Sequence, residues 1–135
     1  MDLLTQKQRS DRMRLIKSKD TGPEKAVRRL IYGLGFRYRL HVASLPGKPD
    51  IVFRRLRKLV FVHGCFWHQH AICRDGRVPT SRQEYWRPKL ERNVQRDAEQ
   101  IRTLESLGWR VLVIWECMLK DQEALSNHLM KFLSP

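Results

Sequence analysis

Leu59-Val60-Phe61-Val62-His63-Gly64-Cys65-Phe66-Trp67-His68-Gln69-His70-Ala71-Ile72-Cys73 is the stretch from which the rest of the chain is read. Its first four residues are apolar and β-prone, and the run is short. That predicts a buried strand delivering reactive side chains to its end. The segment after the strand holds Cys65 and Cys73 of the chain's 3 cysteines, His63, His68 and His70 of its 5 histidines, and the Phe66-Trp67 pair. A loop so rich in ligand-type residues points to metal binding by some of them and chemistry by others.

The surrounding chain has 135 residues, 41% of them hydrophobic, which suits one domain with a real core and not two. No long uncharged run and no signal-peptide pattern is seen, so the expectation is a cytoplasmic protein with no membrane partner. The 27 Lys+Arg against 14 Asp+Glu give a net charge of +13. Such an excess predicts attraction to polyanions, nucleic acid foremost. Charge for solubility alone is one alternative. Binding to anionic lipid is another, but it usually needs a strongly amphipathic anchoring helix, and none stands out. An odd number of cysteines without an export signal favours metal ligation or catalysis over a disulfide framework.

Upstream, residues 1–20 carry Lys7, Arg9, Arg12, Arg14, Lys17 and Lys19 around Met13, Leu15 and Ile16. They read as a basic arm laid on phosphates or as a solvated tail. Residues 21–135 read as a single domain. Thr21-Gly22-Pro23-Glu24 has capping-box spacing with proline in the first turn. Ala26, Val27, Leu30, Ile31 and Leu34 then recur at helical spacing, and Gly33 and Gly35 mark the exit. Residues 36–42 alternate Phe36, Tyr38, Leu40 and Val42 with Arg37, Arg39 and His41, which predicts a half-buried strand with a basic outer face. A turn over 45–49 precedes Asp50, which heads a short strand at 51–53. A basic connection over 54–58 then leads back to Leu59.

Downstream, Ser81 and Glu84 repeat the capping spacing, but Pro88 predicts a break and a long helix that starts with it. Leu90, Val94, Asp97, Ile101 and Leu104 form one face of that helix; Lys89, Asn93 and Arg96 form another. After Gly108, residues 110–115 predict a third apolar strand delivering Glu116 and Cys117, and residues 122–133 a last helix with Leu125, Leu129 and Phe132. The order predicts an α/β domain: helices around a small central mixed sheet, with reactive residues at strand ends.

Cys65, Cys73, Cys117 and one histidine, His68 or His70, make a soft donor set suited to a closed structural zinc site. Such a site contributes roughly 10 kcal/mol of apparent folding energy in small zinc modules. The bland reading of Cys117 is a buried apolar residue. The remaining histidine is an acid–base candidate near neutral pH. Asp50 reads either as a magnesium ligand or as a turn aspartate after proline. Asp97, a carboxylate on an apolar helix face, needs a partner: a histidine to orient or an arginine to pair. Phe66, Trp67 and Trp86 are core aromatics or, in so basic a protein, apolar wedges that stack on bases.

The segments Asp11-Arg12-Met13-Arg14-Leu15-Ile16-Lys17-Ser18-Lys19-Asp20-Thr21-Gly22-Pro23-Glu24, Leu45-Pro46-Gly47-Lys48-Pro49-Asp50-Ile51-Val52-Phe53, Phe61-Val62-His63-Gly64-Cys65-Phe66-Trp67-His68, Lys89-Leu90-Glu91-Arg92-Asn93-Val94-Gln95-Arg96-Asp97 and Gly108-Trp109-Arg110-Val111-Leu112-Val113-Ile114-Trp115-Glu116-Cys117 run in order over nearly the whole chain. Together they resemble the very short patch repair endonucleases. The resemblance implies a restriction-endonuclease-like fold. It also implies strand-specific cleavage of double-stranded DNA on the 5′ side of the thymine in a T:G mismatch left by deamination of 5-methylcytosine.

It further implies that Asp50 ligates catalytic magnesium together with the backbone carbonyl of Val62, with Glu24 on water in the ion's shell. His68 is then the general base, supported by His63 and Asp97, while Cys65, His70, Cys73 and Cys117 hold structural zinc. Phe66, Trp67 and Trp86 wedge into the stack, Met13 enters from the other side, and Lys89 and Asn93 reach the mismatched pair. A monomer working on DNA in a bacterial-type, nucleoid-associated setting, with other mismatch-repair proteins as partners, completes the implication. Val62 stands where a well-known member of that family is expected to carry threonine, which a carbonyl role tolerates and a hydroxyl role would not. The second acidic and lysine positions usual in nucleases of this fold are missing, which leaves a histidine to act as base. A nuclease of the same fold working on other DNA, and a zinc-stapled DNA-binding module without catalysis, are the competing readings.

Overall fold

A computed structural model describes residues 21–70 and 81–134. The basic arm with Met13, and Cys73, lie outside the described residues. Thr21 opens the first helix, α1 (Gly22–Gly33). Its backbone is extended and its hydroxyl accepts the Glu24 N–H at 3.3 Å, satisfying one of the helix's orphan donors. The reciprocal half of the expected capping box is replaced: the Glu24 side chain is 2% exposed and bonds His41 and Arg28 instead. Gly35, at φ +99, turns the chain out of the helix.

Four strands follow: β1 (Arg39–Leu40), β2 (Ile51–Phe53), β3 (Lys58–His63) and β4 (Arg110–Trp115). They form one mixed sheet in the order β1-β2-β3-β4. The first two pairings are antiparallel, whereas β3 and β4 run parallel with His63 opposite Trp115. A parallel pair needs a crossover, supplied here by α2 (Gln83–Ser106). A 3₁₀ turn (Glu116–Lys120) and α3 (Gln122–Leu133) close the chain.

The period of two along the strands sorts side chains into two cores. Ile51, Phe53, Val60 and Ile114 face one way, onto Val27 and Ile31 of α1 and Leu125, Leu129 and Leu133 of α3. Val52, Leu59 and Phe61 face the other way, onto Leu104 of α2 and Trp109. The sheet is therefore covered on both faces, as its near-continuous apolar strands require. Lys58 is buried at the start of β3, where its ammonium donates to the carbonyls of Phe132 (2.6 Å), in the last turn of α3, and Ser134 (3.0 Å), just past its end. Among the described residues no helix is long and apolar enough to cross a membrane.

Two expected elements differ. The strand expected over 36–42 is reduced to Arg39–Leu40, both exposed. Phe36 and Tyr38 pack on the first core and Val42 on the second, and His41, at φ +47, breaks the extended run between them. The helix expected to begin at Pro88 instead begins at Gln83 and carries Pro88 inside it. Proline leaves the Glu84 carbonyl without its i+4 donor. Both residues are exposed, so water can take the donor's place. Arg82, in the left-handed region at φ 56, precedes the helix and no side chain caps it, so the capping role expected of Ser81 is not used. The buried stripe of α2 runs through Leu90, Asn93, Asp97, Ile101 and Leu104, and Val94 is 42% exposed.

Candidate active site

The ends of β2, β3 and α1 meet the middle of α2 around a cleft of about 1090 Å³. Glu24, His41, Asp50, Val62, His63, Phe66, Trp67, His68 and Asp97 all line it. The turn before Asp50 closes one side. Gly47 sits there at φ +76, so close to α2 that a Cβ would lie 2.8 Å from the Gln100 Oε1. The Gln100 tip could swing aside, but the positive φ is a backbone conformation that favours glycine in that turn.

Asp50 precedes β2, and its Oδ2 accepts the Val62 N–H across the sheet at 2.7 Å. Burial pushes its carboxyl up to about 7, the nearby Glu24 charge adds to this, and the Val62 hydrogen bond opposes it. Glu24 in turn meets His41, with Nε2 and Oε2 2.8 Å apart, and accepts from Arg28 Nη1 at 3.0 Å. Ligand atoms of Glu24, His41 and Asp50 all lie within 4.8 Å of one another. Two carboxylates in a half-buried, electrically strained group are the hard-oxygen donors a magnesium ion takes, so these residues fit that ion.

Against the same cleft, His68 Nδ1 lies 2.5 Å from Asp97 Oδ2. Holding one ring nitrogen on a carboxylate fixes the tautomer and leaves Nε2 as the basic atom. His63 stacks on His68 with ring centroids 3.8 Å apart and planes 7° off parallel. Burial pulls His63 down to about 4, and the His68 charge pushes the same way. A neutral His63 ring can stack on His68 without adding positive charge to the cleft.

A second cluster lies beyond the ends of the parallel pair. Cys117 Sγ is 3.4 Å and Cys65 Sγ 3.9 Å from His70 Nδ1. A tetrahedral zinc with Zn–S of about 2.3 Å and Zn–N of about 2.0–2.1 Å sets that edge at about 3.6 Å. The soft donors therefore fit zinc, and it is His70 that faces the thiols while His68 faces Asp97. The two clusters are joined by rings: His70 stacks on Trp115 at 4.3 Å, and Trp115 meets the face of His63 edge-on at 5.2 Å.

At the rim Phe66 packs edge to face with Trp67 (5.1 Å) and Trp86 (5.4 Å), and the two indoles meet at a tilt with centroids 5.9 Å apart. The Lys89 ammonium lies 5.5 Å from the Trp67 ring centroid. Asn93 donates to the Trp67 carbonyl at 3.1 Å and accepts from Arg96, so it fastens the aromatic loop to α2.

The family model described as DNA mismatch endonuclease Vsr matches residues 1–74. The DNA mismatch endonuclease Vsr of Escherichia coli is 45% identical over 122 residues, covering 90% of this chain and 78% of its own length. The type II nicking enzyme V.XorIIP of Xanthomonas oryzae is 49% identical over 134 residues, covering 99% and 98%. The type II nicking enzyme V.NmeAIP of Neisseria meningitidis is 39% identical over 132 residues, covering 98% and 94%.

This chain belongs to the Vsr family of DNA endonucleases.

Within this Vsr-family nuclease, Asp50, Glu24, Val62, His63, His68 and Asp97 come to one cleft, and Cys65, His70 and Cys117 to one cage. Lys89 and Trp86 stand on α2 at the rim. Met13 and Cys73 lie outside the described residues. His41 is the cleft residue that the sequence reading left on an outer strand face. Its alternation with Tyr38 and Leu40 pointed there, and a left-handed backbone at a residue other than glycine has no mark in the sequence.

Proposed function

We propose that this Vsr-family endonuclease hydrolyses the phosphodiester bond 5′ of the thymine in a T:G mismatch, with magnesium in the cleft and zinc in the cage. The domain is then a restriction-endonuclease-like one. The observation that carries the reading is the shared cleft, in which an Asp97-oriented His68 faces the space also lined by Asp50 and Glu24. Asp50 and the Val62 carbonyl would hold the divalent ion, which would supply positive charge to the scissile phosphate. His68, with Nδ1 held by Asp97, takes the proton of the attacking water at Nε2. His63 keeps its partner's ring in plane. Glu24 orders water beside Asp50.

Specificity in this reading comes from the rim. Phe66, Trp67 and Trp86 insert beside the mismatch, where unstacking is cheapest, and Met13 enters from the arm. Lys89 and Asn93 approach the pair from the groove; Asn93 has a second amide hydrogen beyond the one given to Trp67. The net charge of +13 holds the phosphates. The names of E. coli Vsr and the nicking enzymes support single-strand cleavage at mismatches.

The test compares T:G, T:A and C:G duplexes of one sequence with magnesium, read as the nicked strand on a denaturing gel. Nicking confined to T:G, lost by roughly 10³-fold in His68→Ala and Asp97→Asn, is expected. Equal nicking of paired DNA would replace the reading with a nuclease of broader substrate range. Full activity in His68→Ala would remove the proposed base.

A further inference from the structure

His41 has no task in the chemistry above, yet its backbone is built for one. A φ of +47 costs a residue with a side chain about 1–2 kcal/mol, and such conformations gather at functional sites. The turn does two things. The His41 N–H donates to the Asp50 carbonyl at 3.1 Å, and the ring reaches Glu24 with Nε2 2.8 Å from Oε2. His41 is thus fastened by its main chain to one carboxylate residue and by its ring to the other. The three donor groups lie within 4.8 Å of one another. The 2.8 Å separation also matches the edge between neighbouring ligands of an octahedral ion, about 2.9 Å for bonds of about 2.0–2.1 Å.

The geometry points to His41 as a nitrogen ligand of the cleft's divalent ion beside Asp50 and the Val62 carbonyl, with Glu24 drawn from the ion's water shell into direct contact next to the imidazole. The inference rests on the reading that Asp50 holds that ion. An all-oxygen set suits magnesium. An imidazole nitrogen gains little from magnesium but more from first-row transition ions, whose affinity for nitrogen donors rises along the series from manganese. The site is therefore one that takes manganese in clear preference to magnesium, and His41 sets the preference.

Manganese is the probe. The zinc-loaded full chain is titrated with Mn²⁺ without DNA, with free Mn²⁺ read by electron paramagnetic resonance and magnesium then added as competitor. Pulsed spectra of the bound ion report nitrogen-14 modulation from a coordinated imidazole. The wild type is expected to show that modulation. His41→Asn, chosen because asparagine accepts the left-handed backbone, is expected to lose it, with the manganese-to-magnesium affinity ratio falling about tenfold. Unchanged modulation and ratio in His41→Asn, with circular dichroism confirming the fold, would reduce His41 to a residue that only positions Glu24. Wild-type manganese binding in Asp50→Asn would instead overturn the reading of Asp50 itself.

Discussion

Asp50 is held in a charged-carboxylate environment that the fold resists. It is partly buried, shares its surroundings with the nearly inaccessible Glu24, and its carboxyl sits at about 7 instead of 3.8. The sign of the stability effect follows. The folded state holds this proton more tightly than the unfolded chain, so the ion-free protein loses stability as pH rises from about 4 through about 7. The loss is at most about 4 kcal/mol, taking about 1.4 kcal/mol per pKa step. Asp50→Asn keeps an acceptor for the Val62 N–H and removes the charge. Without added magnesium it should melt above the wild type at pH 8 and level with it near pH 4, while nicking is lost. A lower melting temperature at pH 8 would show that the carboxylate stabilises the fold and that no strain is stored there.

Among the elements, α2 carries the most and is also the one the sequence described least well. Its inward stripe of Leu90, Asp97, Ile101 and Leu104 was legible from the 3.6-residue period, as were α1 from its threonine cap and α3 from its leucines. The buried strands were legible because apolar runs of three to five residues, bounded by polar or turn residues, have few other fates. What escaped were features fixed by long-range packing or by water. Pro88 looked like a boundary, but the helix runs through it at an exposed position where solvent can reach the Glu84 carbonyl. Pro88→Ala restores the missing N–H at an exposed position, so it should raise stability by about 1–3 kcal/mol in thermal melts, with the nicking rate unchanged. No gain would mean that the turn before Pro88 is held by other contacts. At the site, Asp50 and His68 were readable as reactive types. Their convergence was implied only by the family resemblance, since residue pattern alone does not say which strands pair, and His41 was hidden by a backbone reversal that alternation cannot express.

For the molecule as a whole, the parallel pairing of β3 with β4 decides where the chemistry lies. It sets the ends of two strands side by side, so that His63, Cys65 and Cys117 emerge at one edge of the sheet although more than fifty positions separate the cysteines. A zinc in the cage would lock those ends together. Chelation should then cost several kcal/mol of stability and abolish nicking together, both returning with zinc and neither with magnesium. Retained activity in zinc-free protein, verified by elemental analysis, would disconnect the cage from the cleft. The rings between them carry a last consequence. Trp115 lies flat on His70 at 4.3 Å and edge-on to His63 at 5.2 Å, so one indole touches a ring from each cluster. Its share of the emission from the chain's 4 tryptophans should therefore respond to a filled cage on one side and to imidazole protonation on the other, with no label attached.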